Sequence, residues 1–286
     1  MAIPMNSKPN TTIVLPRLTE NIGHLYDVYL LDLDGTVLLG NELIPGADKV
    51  IKILRNLNRR IVFISNNATS SPASYAKKLT LLGIPTTSAD VVNPSMVMID
   101  FLNDNIPEGR LLVIGEPELC DDLEENGFYI TDSQSNVDAV IVSFDRSFSY
   151  QKLQAAFDAI RTGARFFATN NDMYRPIKNG GQPDAGAIIA AIEACTGTPC
   201  EVIVGKPSQH IINYVSSKVL KPSADCIIVG DRLETDIQMG INAFIDSALV
   251  LTGATSLKNA QTSEIEPVYM INSILGLLPD KILDDL

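Results

Sequence analysis

Four short polar stretches hold the side chains best suited to chemistry, and each directly follows an apolar run. Asp32 and Asp34 stand two apart after Val28-Tyr29-Leu30-Leu31, with Gly35 and Thr36 next. Strand side chains alternate faces, so both carboxylates can project to one side of the strand's end. Gly35 lets the backbone turn there. Two like charges this close, with no basic residue nearby in sequence, ask for a bound cation or a shared proton. Ser65 and Asn66 follow Ile61-Val62-Phe63-Ile64, Lys206 follows Val202-Ile203-Val204-Gly205, and Asp231 follows Cys226 to Gly230. One and the same position, just past a buried strand, therefore carries three carboxylates, a hydroxyl, an amide and a lysine. Carboxylates are the hard oxygen ligands that Mg²⁺ prefers, usually one or two of them together with a substrate phosphate. A hydroxyl, a lysine and a helix N-terminus suit the remaining phosphate oxygens.

These residues meet only if the strands lie side by side, and the chain's rhythm predicts that they do. Apolar runs bounded by turn residues read as buried parallel strands. Between them, Val50, Ile51, Ile53, Leu54 and Leu57 give a helix with an apolar stripe, and further helices are expected at 72–82 and 94–102. A second strand–helix alternation runs from Gly109, with strands at 111–114, 128–130, 139–142 and 166–168, and this block could bury a small core of its own. The first rhythm is expected to resume at Val202-Ile203-Val204, continue through strands at 226–229 and 248–251, and finish in helices near 268–278. Right-handed crossovers would bring the carboxyl ends of the strands to one edge, where open parallel sheets bind their ligands. The expected fold class is α/β.

Bulk properties narrow the function. With 286 residues, 45% hydrophobic and 20% charged, the chain can fill one large domain or two. Its net charge of −12 disfavours nucleic acid and anionic membrane as partners. An anionic substrate would have to be held by a metal or a local lysine. Cys120, Cys195, Cys200 and Cys226 show no CxxC spacing, which argues against zinc and a disulfide framework and fits a reducing cytoplasm. Residues 1–10 lack the pattern of a signal peptide, and 1–25 read as a loosely structured lead-in. Other motifs fail on the letters. A phosphate loop would need glycine where Cys200 stands and Ser or Thr where Pro207 stands, and an EF-hand starting at Asp32 would need glutamate in place of Leu43. His24 and His210 fall in a lead-in and a helix, away from the strand ends.

Taken in order, Asp32-Leu33-Asp34-Gly35-Thr36, Phe63-Ile64-Ser65-Asn66-Asn67, Gly205-Lys206-Pro207 and Gly230-Asp231-Arg232-Leu233-Glu234-Thr235-Asp236 resemble the four motifs of the haloacid dehalogenase superfamily. The likeness runs from Tyr29 to about Gly253 and is nearest to subfamily IIA, the nitrophenylphosphatase and nucleotide- or sugar-phosphate phosphatase branch with a large α/β cap. It implies a Rossmann-like parallel-sheet core, discontinuous over 1–107 and 200–286, with a cap inserted over 108–199 that selects the leaving group. It also implies a Mg²⁺-dependent phosphatase for a small phosphorylated metabolite. Asp32 would be the nucleophile and Asp34 the acid–base. Ser65, Asn66 and Lys206 would bind phosphate. Asp32, Asp34 (through its carbonyl) and Asp231 would hold Mg²⁺, with Asp236 supporting them. In the cap, Thr169-Asn170-Asn171-Asp172 resembles the substrate-facing loop, so Asn170 and Asp172, with Asn67 in the core, are candidate contacts. Ser143-Phe144-Asp145-Arg146 resembles a cap segment that maintains the fold. The resemblance also implies homodimerisation through the cap. Phosphomutase-type transfer and silent binding of a phospho-ligand are the alternatives.

Overall fold

A computed structural model describes residues 18–177, 180–219 and 224–283. The lead-in expected over 1–25 lies outside these up to residue 17. Seven parallel strands form the main sheet, in the spatial order Leu18–Thr19, Tyr269–Ile271, Asp246–Val250, Cys226–Gly230, Val28–Leu31, Arg60–Ile64, Val91–Val92. Val28–Leu31 lies at the switch point: the chain first builds outward through 60–64 and 91–92, then returns to build the other side from 226. This is the position at which open α/β sheets leave a crevice. Register sets the strand ends level. Leu31 lies opposite both Phe63 and Val229, so Asp32, Ile64 and Gly230 emerge in one row.

Five more parallel strands, Val202–Ile203, Arg165–Ala168, Ala139–Val142, Arg110–Ile114 and Tyr129–Ile130 in spatial order, make the cap sheet. Val202–Ile203, which reads in sequence as the return to the core, is thus the edge strand of the cap, paired with Phe167 and Ala168. The stretch 268–278 also differs from its helical reading. Tyr269–Ile271 is a strand between Asp246–Val250 and Leu18–Thr19, followed by the short 3₁₀ turn Ile274–Leu277. Met270 and Ile271 are buried there, and sheet pairing outweighs local helical spacing.

The main sheet buries both faces, and the two apolar clusters differ. Tyr29, Leu31, Phe63, Ile227 and Val229 pack one face against the helix Ala47–Asn56. On the other face, Leu30, Val62, Ile64 and Ile228 share a single cluster with Leu111, Ile141 and Phe167 of the cap, joined by Val97, Met98 and Leu102 of the helix Pro94–Asn105. The cap has a core of its own only on its far face, around Val140, Val142 and Phe166. Among the described residues, no helix is long and apolar enough to cross a membrane.

Candidate active site

Asp32 leaves the end of Val28–Leu31 and is 7% exposed; Lys206, just beyond the cap strand Val202–Ile203, is 3% exposed. Lys206 Nζ donates to Asp32 Oδ1 and Asp236 Oδ1, both at 2.6 Å, and to the Ile64 carbonyl at 3.0 Å. All three donors of the ammonium are thereby used. One oxygen from each of Asp32, Asp231 and Asp236 lies within 4.8 Å of the other two. Three carboxylates against one ammonium leave two negative charges uncompensated in a buried space.

The titration shifts follow from that imbalance. Burial pushes the Asp32 carboxyl well above its ordinary range; the Lys206 charge opposes this, while Asp236 and Asp231 add to it. Asp231 is pushed up to about 6, by burial first and Asp236 second. Burial works against charge on Lys206, but Asp236 and Asp32 outweigh it and hold the ammonium protonated. The buried cluster thus resists full ionisation, a resistance that a cation would relieve. Asp32 Oδ2 points to the same need. It is buried and has no hydrogen-bond partner among the described residues, a costly state for a carboxylate oxygen. A hard divalent cation fits this donor set.

The other carboxylates have fixed second contacts. Asp231 Oδ2 accepts from the Ala254 N–H at 2.5 Å, and Asp236 Oδ2 from the Arg232 N–H at 3.2 Å. Two glycines make room for Asp231. Gly35 has φ +100°, and a Cβ there would lie 2.3 Å from Asp231 Oδ2; at Gly253 it would lie 1.9 Å away. Asp34, in contrast to these buried acids, is exposed. Ser65 is buried, and its Oγ accepts from the Asn67 N–H at 3.0 Å, which leaves its own proton to donate. Tyr75 stands beside it. Burial and then Asp34 raise its hydroxyl's pKa, and a hydrogen bond with Ser65 lowers it.

The side chains of Asn66 and Asn67 are both held by protein partners. Asn66 Oδ1 accepts from the Lys206 N–H at 2.7 Å, and its Nδ2 donates to the Lys206 carbonyl at 3.1 Å and to Asp172 Oδ2 at 3.2 Å. Asn67 closes a turn, accepting from the N–H and Oγ1 of Thr69 at 2.9 and 2.7 Å. Asp172 is a polar contact between core and cap: besides Asn66 it accepts from Asn170 Nδ2 at 3.1 Å and faces Arg232 Nη1 at 3.7 Å. Arg232 Nη2 also donates to the Tyr174 carbonyl at 3.3 Å. The Asn170–Asp172 loop is therefore seated beside the core strand ends.

Comparison with known proteins agrees with this geometry. Residues 29–129 match the haloacid dehalogenase-like hydrolase family, and residues 203–277 a second HAD-like hydrolase family. The sugar-phosphatase AraL of Bacillus subtilis is 38% identical over 245 residues, 86% of this chain and 89% of AraL. The chain belongs to the haloacid dehalogenase-like hydrolases. It is a phosphoric monoester hydrolase. The crystal structure of a 4-nitrophenylphosphatase from Thermotoga maritima superposes with TM-score 0.83 at 34% identity, covering 88% of this chain and 96% of that one. A glycerol phosphate phosphatase from Mycobacterium tuberculosis, solved in complex with magnesium, gives TM-score 0.82 at 30% identity, covering 93% and 80%.

Within this hydrolase, Arg232, Tyr75 and the Gly253-Ala254 turn join the site beside the residues that the sequence singles out. Arg232 sits two residues and Gly253 three residues past a buried strand of the main sheet, close to the signal that singles out Asp231. Gly253 yields a direct test. A methyl group there must displace Asp231 or the turn that donates to it. Gly253→Ala is therefore expected to weaken activation by a divalent cation by about 10- to 100-fold, as loss of a ligand's supporting contacts does elsewhere. The concentration of Mg²⁺ giving half-maximal hydrolysis measures it, and an unchanged value would show that the turn does not seat Asp231.

Proposed function

We propose that this hydrolase is a Mg²⁺-dependent phosphatase of small phosphomonoesters, working through an aspartyl-phosphate. One observation carries the reading: Asp32 has one oxygen held by Lys206 and the other buried without a partner among the described residues, inside a cluster two charges too negative. Asp32, Asp231 and the Asp34 carbonyl would hold Mg²⁺, with Asp236 in support, and when bound the ion supplies charge compensation as a Lewis acid. Asp32 attacks phosphorus and the ester oxygen departs, taking a proton from Asp34, the one acid of the group that faces solvent. Asp34 then removes a proton from water, whose oxygen attacks the same phosphorus and frees Asp32 and orthophosphate. Ser65 donates to a phosphoryl oxygen. Lys206 supplies the positive charge that lets a phosphate approach carboxylates. Asn66 positions Lys206 and the cap loop through both ends of its amide.

The names of the relatives support a sugar phosphate, glycerol or glycolate phosphate, or nucleoside monophosphate as substrate, with Asn170 and Asp172 on the leaving-group side. Four free cysteines fit a reducing cytoplasm, and the cap is the surface through which a second copy would pair. Hydrolysis of p-nitrophenyl phosphate is expected to fall by at least about 100-fold in EDTA and to return with Mg²⁺. Orthophosphate should appear mole for mole with nitrophenol. Undiminished activity in EDTA, or phosphate retained on an acceptor sugar, would overturn the reading.

A further inference from the structure

At the opposite edge of the main sheet, the chain gathers four cations around one open cavity of about 700 Å³. Lys52 and Arg55 come from the helix Ala47–Asn56, Arg59 from the turn after it, and Arg60 opens the strand that ends next to Ser65. Five residues of extended strand put Arg60 roughly 16 Å from Ser65, so the cavity is separate from the catalytic crevice. Ile51, Ile61, Ile84 and Pro85 line the same cavity and give it an apolar side. Its volume is that of a site for a small organic ligand, larger than a bare phosphate needs.

Charge singles this cavity out. Among the described residues only two acids, Asp48 and Asp90, line it, and Asp90 Oδ2 is engaged by the Thr87 N–H at 3.0 Å and the Thr87 hydroxyl at 2.7 Å. A local excess of cations in a chain of net charge −12 reverses the protein's overall sign. Compensation of the helix's carboxyl end accounts for Arg55 in its last turn, and an ion pair with Asp27 accounts for Arg59, but neither accounts for Lys52 and Arg60. The two half-buried arginines are also fixed in place. Arg55 Nη1 donates to the Pro85 carbonyl at 2.5 Å, and Arg59 Nη1 to Asp27 Oδ1 at 2.8 Å. The side chains of Lys52 and Arg60 have no hydrogen-bond partner among the described residues. Guanidinium groups held at one end give up less freedom when they take an oxyanion at the other.

We propose that this cavity is a second ligand site, for a small molecule bearing phosphate groups on an apolar or aromatic body, the class of a nucleoside phosphate. Three guanidinium groups and an ammonium suit a polyanion better than a single carboxylate. The test is calorimetric titration with ADP in EDTA, using wild type, Asp32→Asn, Arg55→Gln/Arg59→Gln and Arg60→Gln. ADP is expected to bind wild type and Asp32→Asn alike, with about tenfold weaker binding to the double variant and about threefold weaker binding to Arg60→Gln. Adenosine should give no saturable heat. Nitrophenyl phosphate hydrolysis by the double variant should stay within about twofold of wild type, since no catalytic group is touched. If that variant does not fold, Arg60→Gln, an exposed substitution, decides alone. Equal ADP affinity in the arginine variants and wild type, loss of binding in Asp32→Asn, or no saturable binding at millimolar ADP would each overturn the proposal.

Discussion

Asp32→Asn is expected to lower phosphomonoester hydrolysis by at least about 10³-fold while leaving the protein folded. The substitution keeps the shape of the side chain and an oxygen to accept from Lys206 Nζ, but removes the carboxylate proposed as the nucleophile. Stability should hold or rise slightly. Asp32 is a buried carboxylate raised well above its ordinary pKa by burial, in a cluster already short of positive charge, and an amide relieves that repulsion. Initial rates with nitrophenyl phosphate and a thermal melt check both halves. More than about a tenth of wild-type activity would remove Asp32 from the nucleophile's role.

Lys206→Met should be the most damaging single change to stability in the site. Methionine fills similar volume, but the three donors to Asp32, Asp236 and the Ile64 carbonyl disappear together. Removing one member of a buried ion pair costs about 3–5 kcal/mol, because the partner charges remain buried without compensation. Here the excess negative charge would rise from two to three. Urea unfolding should show this loss, and adding Mg²⁺ should stabilise the variant more than it stabilises wild type, since the ion then offsets a larger imbalance. A loss below about 1 kcal/mol would mean that the cluster is protonated rather than charged when folded.

The part of this molecule that sequence makes legible is the part built by strand ends. An apolar run that stops at a polar residue marks a strand and its exit, and three such exits in the main sheet with one from the cap sheet bring Asp32, Lys206 and Asp231 together, with Ser65 just past the neighbouring Ile64. What sequence does not convey is which sheet a short strand joins. Val202–Ile203 has two half-buried residues and no period long enough to choose between core and cap. Tyr269–Ile271 fails differently: its neighbours Ile274, Leu277 and Leu278 extend a helical spacing, and only the vacancy between Leu18–Thr19 and Asp246–Val250 makes it a strand. Asn66 shows a third limit. Its place after a strand is evident, but its amide is spent on the main chain of Lys206, a partner 140 residues away.

Lys206 enters the carboxylate cluster directly from the last strand of the cap sheet, and that cap shares an apolar cluster with the core. The arrangement constrains how new specificities can be acquired by exchanging caps. A transplanted cap replaces more than the surface over the leaving group. It must also end its sheet in the same register, or the incoming ammonium will miss Asp32 and Asp236. Side-chain changes within the cap that leave the main chain of that last strand in place are therefore the easier route to a new substrate preference, and swapping the cap whole is the harder one.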